Sequence, residues 1–138
     1  MIMEVPKILV SILTYNNVED TIETIRCFQR QSYRNFDLVV IDNASPGNCA
    51  DLIRKACPGV EVVRSKVNSG YTGGNNFALD RGLNEGFDYV LISNHDVSFP
   101  PDLMKNLIET AEDQPDCGVV GAIEEAYQTG EITTCSST

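Results

Sequence analysis

Apolar and polar positions alternate along this chain in blocks. Residues 7–13 (KILVSIL) form a run rich in apolar and β-branched residues, which predicts a buried strand. Residues 18–31 follow, with Val18, Ile22, Ile25 and Phe28 at helical spacing. Asn17 is placed to cap that helix, and Glu19, Asp20 and Glu23 lie near its positive end. Residues 36–41 (FDLVVI) predict a second strand, 43–47 (NASPG) a turn, 49–56 a short helix and 60–63 a third strand. Residues 66–74 read as a polar, glycine-rich loop, and 75–85 as a helix stopped by Gly86. A fourth strand is expected at 89–93 (YVLIS). Pro100-Pro101-Asp102 opens a helix to residue 114, with Leu103, Leu107, Ile108 and Ala111 on one face. A fifth strand is expected at 118–123 (GVVGAI), and 124–138 reads as a polar tail.

Strict β-α alternation predicts an α/β fold: a mostly parallel, Rossmann-like sheet in a three-layer αβα sandwich, with right-handed crossovers. Ligands in such sheets bind beyond the carboxyl ends of the strands, near the point where strand order reverses. The residues just after each strand are therefore the ones to read for chemistry.

Composition narrows the classes. The 138 residues are 42% apolar, enough for one domain with a real core. A formal net charge of -10 without a basic patch argues against nucleic-acid binding. It also means that an anionic ligand needs a metal ion or backbone N–H groups to hold it. The five cysteines are unevenly spaced with no C-x-x-C pair, so they read as buried or incidental thiols of a reducing compartment. The apolar N-terminal run lacks a basic flank and a cleavage site, and reads as a strand rather than a signal peptide. No apolar run approaches the ~20 residues of a membrane span.

Four polar constellations follow the first four strands. Thr14-Tyr15-Asn16 offers a ring with small polar neighbours that suits a nucleobase; the alternative is a surface loop before a helix cap. Asp42-Asn43 ends the second strand, where a carboxylate accepts from a base or ribose, or makes an Asx-turn or cap. Asn68, Gly70, Gly73, Gly74 and Asn75 belong to a loop whose glycines allow close approach to phosphate or sugar, or simply make turns. Neither a P-loop nor G-x-G-x-x-G fits it. Asn94-His95-Asp96 leaves the fourth strand, and Asp96 is a hard oxygen ligand suited to Mg²⁺ or Mn²⁺, or else a turn carboxylate. His95, the one histidine, reads as packing or a hydrogen-bonder to a ligand residue rather than a catalyst.

From about residue 7 to 123, the order of these segments resembles the family-2 glycosyltransferases, inverting enzymes of the GT-A fold. VSILTYNN is similar to that family's first strand and loop. QRQSYRNFDLVVID with the following NAS resembles its Q-x-Y-x-x-x-E-x-x-V-V-D-[DN]-x-S signature. NSGYTGGNN resembles its N-x-G-[FY]-x-x-[GA]-x-N segment, and residues 93–96 stand where the family carries a D-x-D-type motif. The resemblance implies that residues 14–16 line the base of a nucleotide-diphosphate sugar, Asp42 bonds base or ribose, residues 70–75 pass near the nucleotide, and Asp96 binds a divalent metal bridging the diphosphate. The reaction implied is inverting transfer of the sugar to a hydroxyl of a glycan or lipid-linked acceptor, in polysaccharide or cell-wall synthesis. The implied place is the cytoplasm, at the inner face of the membrane by peripheral association. Two departures stand out. Asn94 replaces the first acid of D-x-D, and Asn75 stands where many members carry arginine. The paired glycines and asparagines are more similar to the rhamnosyltransferase-like branch, which implies a dTDP- or UDP-linked donor.

Inverting transfer needs a general base. The resemblance places it in a second, acceptor-binding half, beyond Thr138. Glu124, Glu125 and Glu131 match no base motif. The expected organisation is thus a donor-binding half over 1–123 and a truncated continuation over 124–138. The competing class is a non-catalytic nucleotide-binding module served by a partner chain. A nucleotidyltransferase is a weaker third reading, since VSILTYNN lacks a glycine-rich basic loop.

Overall fold

A computed structural model describes residues 5–125, 129 and 132–133. Four strands form one sheet: β1 (Ile8–Thr14), β2 (Phe36–Asp42), β3 (Glu61–Arg64) and β4 (Tyr89–Asn94), in the order β3-β2-β1-β4 and all parallel. Helices α1 (Val18–Gln29), α2 (Cys49–Ala56), α3 (Gly70–Glu85) and α4 (Leu103–Asp113) connect or follow them. The α/β expectation holds. Alternate residues of β1 serve opposite faces of the sheet. Ile8, Val10 and Ile12 join Ile25 and Phe28 of α1, Ala50 and Ile53 of α2, and Met104 of α4 in the larger core. Leu13 and Ile41 meet Ala78 of α3 on the other face. All seven residues of β1 are buried, as its apolar run requires.

The helix termini follow local chemistry. Asn17 caps α1, its side chain accepting from the Asp20 N–H at 3.2 Å. Gly86 stops α3 in the left-handed region, at φ 73°. The start of α4 is different. Asp102 stands at the N-cap and makes no side-chain cap bond. The buried Gln31, just past α1, supplies it instead: its Oε1 accepts from the Met104 N–H at 2.9 Å, and its Nε2 donates to the Pro100 carbonyl at 2.8 Å. At its far end α4 is tied to β4 by a hydrogen bond between the Tyr89 hydroxyl and Glu112, which pushes the Tyr89 pKa up.

Three expectations need correction. The helix expected at 75–85 begins at Gly70, so most of the glycine-rich "loop" is the first turns of α3. Its glycines serve close packing: a Cβ on Gly74 would stand 2.4 Å from a Leu13 methyl, and one on Gly82 2.2 Å from a Val90 methyl. The expected strand at 118–123 does not form. Val119 and Ile123 are exposed, and among the described residues that segment has no strand beside it to complete a hydrogen-bond ladder. In its place Glu124–Glu125 (β5) pairs antiparallel with Ile132–Thr133 (β6). The helix at 49–56 forms with the expected ends, and the remaining strands and helices shift by one to three residues at theirs. Of the expected tail, residues 126–128, 130–131 and 134–138, with Glu131 and Cys135, lie outside the described residues. Of the other cysteines, all free, Cys27 and Cys57 are buried, Cys49 is partly buried and Cys117 is exposed. Among the described residues, no helix is long and apolar enough to cross a membrane.

Replacing Gln31 with Leu fills similar space but strands the Met104 N–H. The expected cost is about 1–3 kcal/mol in urea unfolding. A wild-type midpoint would exclude Gln31 as the cap of α4.

Candidate functional site

The parallel registers carry the strand ends to one edge of the sheet. Thr14 stands opposite Asp42, Asp42 opposite Arg64, and Leu13 opposite Asn94. β2 and β3 extend to one side of β1 and β4 to the other, so strand order reverses between β1 and β4. This crevice is the usual place for a ligand in an open α/β sheet.

Beyond the tip of β1, Thr14 is buried and its hydroxyl bonds that of Thr21 at 2.8 Å. Tyr15 is half exposed, its ring uncommitted to the core. Asn16 takes a left-handed backbone, φ 51°, which suits asparagine better than most residues. Its N–H donates to Ser45 Oγ at 2.8 Å, fastening the β1 loop to the β2 loop.

Asp42 is wholly buried at the tip of β2. Its Oδ1 accepts from the Ser45 N–H at 2.9 Å. Its Oδ2 makes no hydrogen bond, and Arg64 Nε lies 3.7 Å away, too far for a good one. Arg64 spends its Nη2 on the Ser45 carbonyl, at 2.8 Å. A buried carboxylate oxygen without a hydrogen bond is uncommon and costly. The local alternative, an Asx-turn or cap, is also met in its cap form, because Oδ1 accepts from the N–H three residues on and closes residues 42–45. One side chain thus holds the loop with one oxygen and leaves the other open.

Asn43 is the hub of the next loop. Its Nδ2 donates to Asn68 Oδ1 and to the Gly70 carbonyl, each at 3.0 Å, and its Oδ1 accepts from the Ser69 N–H at 3.1 Å. Asn68 Oδ1 also accepts from the Gly70 N–H at 2.9 Å. Asn43 and Asn68 therefore fix the entry to α3 rather than face outward freely. Gly70 itself adopts φ 71°, a turn that favours glycine. Gly73 lies against Ser69, where a Cβ would meet that side chain at 2.6 Å. Asn75 is buried, and neither Oδ1 nor Nδ2 has a partner among the described residues.

Beyond β4, the Ser93 hydroxyl donates to the Asn94 carbonyl at 2.9 Å. Asn94 and Asp96 are exposed, and their side chains hold no hydrogen bond among the described residues. His95 is pinned inward, with Nδ1 3.2 Å from the Leu13 carbonyl. Its expected supporting role fits that position. Among the described residues, no three His, Cys, Asp or Glu side chains converge on a metal-sized point. One carboxylate beside one amide is an incomplete but hard-oxygen donor set. It fits an ion that keeps waters and takes phosphate oxygens, as Mg²⁺ and Mn²⁺ do.

All four predicted constellations thus lie at the carboxyl edge. Arg64 and Ser45 complete the Asp42 corner and stood outside the predicted set. A lone arginine at the carboxyl tip of the third strand was the signal for the first. An open groove of ≈ 1700 Å³ includes Asn94 and Asp96 but neither Asp42 nor Thr14. It follows the unpaired side of β4, with Leu79, Leu83, Val119 and Ile123 in its lining, and meets the strand-end edge only at the turn after β4.

The sequence model of Glycosyl transferase family 2 matches residues 9–134. Among solved structures, a mannosyltransferase, PcManGT from Pyrobaculum calidifontis in complex with GDP-Man and Mn2+, superposes with a TM-score of 0.70 at 23% identity, over 79% of this chain and 33% of that one. S. aureus TarS 1-349 in complex with UDP-GlcNAc gives 0.65 at 21% identity, over 79% of this chain and 32% of that one. These likenesses establish the GT-A fold, and the chain spans about a third of the length of those proteins. Among curated protein sequences, none matches.

Asn43→Ala removes every bond from the β2 tip to the α3 entry. Faster amide exchange at Ser69, with a loss of about 1–3 kcal/mol in stability, is the expected result. Unchanged Ser69 protection would show that another contact holds this loop.

Proposed function

The chain belongs to glycosyl transferase family 2, and on that premise we propose that residues 1–123 form the half of a glycosyltransferase that binds a nucleotide-diphosphate sugar. The observation that carries this reading is the alignment of Thr14, Asp42 and Asn94 at the strand-order reversal, with one Asp42 oxygen left open. Tyr15 packs on the base, with Thr14 and Asn16 fixing its loop. The open Oδ2 of Asp42 accepts a hydrogen bond from base or ribose, which relieves its unsatisfied burial. Asn43 and Asn68 hold the α3 entry in place. Gly70, Gly73 and Gly74 let the first turn of α3 sit close to the β1 tip, and Asn75 directs its amide toward the nucleotide. Acceptance of a dTDP- or UDP-linked donor, as in the rhamnosyltransferase-like branch, is part of the same proposal.

Asp96 and the Asn94 amide oxygen hold a divalent ion, Mg²⁺ or Mn²⁺, together with diphosphate oxygens. That ion, when bound, supplies a Lewis acid for the departing diphosphate. A chain of formal charge -10 needs such a cation to take an anion at an edge carrying two aspartates. The acceptor is a hydroxyl of a glycan or lipid-linked molecule at the inner face of the membrane, and the transfer is inverting. We assign the general base and the acceptor site to a separate acceptor-binding half. The second reading, a nucleotide-binding module without turnover of its own, is favoured by the exposed edge of β4 and its apolar groove, where an acceptor half supplied by a partner would pack.

Thermal unfolding with UDP, dTDP and GDP, with and without Mn²⁺, tests the donor site. A nucleotide at 100 times its Kd adds about 2.7 kcal/mol. The stabilisation is expected to depend on Mn²⁺, and Asp96→Ala removes the metal-dependent part. No stabilisation by any nucleotide would overturn the proposal. Residues 1–138 with donor, acceptor and Mn²⁺ are expected to bind without turnover, and measured transfer would refute placing the base elsewhere.

A further inference from the structure

The turn that carries Asn94 and Asp96 is exposed, yet its backbone is not free. Thr24, in the middle of α1, is wholly buried. Its Oγ1 lies 2.8 Å from the His95 carbonyl and 3.0 Å from the Val97 carbonyl, and accepts from the Val97 N–H at 3.3 Å. The single hydroxyl proton goes to one of the two carbonyls while the lone pairs receive the Val97 N–H. The residues on both sides of Asp96 are therefore fastened to one oxygen. His95 adds a second attachment, from its ring to the Leu13 carbonyl of β1. Farther along, Phe99 packs edge-on against Phe28 with ring centroids 4.7 Å apart, and Gln31 takes Pro100 and Met104. Thr24 and Phe28 are four residues apart on one face of α1, and Gln31 follows just past its end. Together they hold the whole path from β4 to α4.

We propose that Thr24 is a positioning residue for the metal-binding turn: by clamping the His95 and Val97 backbone to α1, it sets the direction in which Asp96 and Asn94 present their oxygens. The inference rests on the reading of Asn94 and Asp96 as ligands of a metal that bridges a diphosphate. It goes beyond that reading by placing the geometric control of the ligand pair on a buried hydroxyl of α1, outside the pair itself. Mg²⁺ and Mn²⁺ with few protein ligands depend strongly on where those ligands point. A turn anchored on both sides of its carboxylate keeps that direction without rearranging when the ion arrives.

The test separates metal coupling from nucleotide binding. Kd for UDP, dTDP and GDP is measured by calorimetry without metal and in saturating Mn²⁺, and the ratio is the coupling. Wild-type protein is expected to bind one of them more tightly with Mn²⁺. Thr24→Val, close in shape but without the hydroxyl, is expected to keep the metal-free Kd within about twofold and to lose about tenfold in coupling, the size of one hydrogen bond withdrawn from a buried partner. Thr24→Ser keeps the oxygen and is expected to restore the coupling. Should Thr24→Val fail to fold, Thr24→Ala removes the same oxygen without adding a methyl where the hydroxyl sat, and is read in its place. Unchanged coupling in the folded variant overturns the positioning role. So does an equal loss of metal-free and metal-bound affinity, which marks general damage. Absence of any Mn²⁺ effect in wild-type protein overturns the metal reading itself, and the positioning role falls with it.

Discussion

β1 is hydrogen-bonded to β2 on one side and β4 on the other, and all seven of its residues are buried. A strand so enclosed has one tolerable register. A slip by one residue would turn Ile8, Val10 and Ile12 toward the opposite face and break both cores. Because the pairing is parallel, fixing β1 fixes the ends of its neighbours. Thr14, Asp42 and Asn94 reach the same edge for that reason, not through contacts among themselves. The candidate site is thus a consequence of apolar packing some residues away from it.

The edge is then finished by small polar side chains. Ser45 receives from Asn16 and gives its backbone to Asp42, Asn43 ties residues 68–70, and Thr24 ties residues 95–97. Each joins segments that are far apart in the chain. Each is also buried, where hydrogen bonds are strong and unmade ones costly. This explains how three loops without regular structure hold defined shapes. The atoms left unmatched are informative in the same sense. Asp42 Oδ2 and the Asn75 amide sit beside a network that satisfies nearly everything else around it. A ligand group that donates to Asp42 would complete the set.

Helix α1 has a role that its amphipathic pattern does not announce. Its apolar stripe, Ile25 and Phe28, belongs to the core. Its polar buried residues, Thr21, Thr24 and the following Gln31, reach the β1 tip, the turn after β4 and the start of α4 in turn. The helix is both wall and clamp, which links stability of the core to geometry of the edge. Asp42 shows the related electrostatic economy: Arg64 stands near enough to offset its charge, yet gives its best-placed donor to Ser45. One carboxylate oxygen remains open.

Much of this was legible in the residues. Apolar runs announced four strands, helical spacing announced α1 and α4, and Asn17 and Gly86 marked helix ends where they are found. Local chemistry decides such features, so a local reading suffices. The glycines misled because their effect is not local. Gly74 read as part of a loop, but it lies within α3, where the sheet stands so close that a Cβ would strike Leu13, as one on Gly82 would strike Val90. Residues 118–123 misled in the opposite direction: β-branched residues make a strand only where another strand offers its hydrogen bonds. Arg64 beside Asp42, Gln31 over Met104 and Thr24 under the turn were likewise invisible, since each pairs residues distant in sequence. The sequence by itself determined which segments are strands, which are helices, and which polar residues stand at strand ends. Only the tertiary structure decided which of those residues meet, because register and helix–sheet distance are set by contacts between segments and not within them.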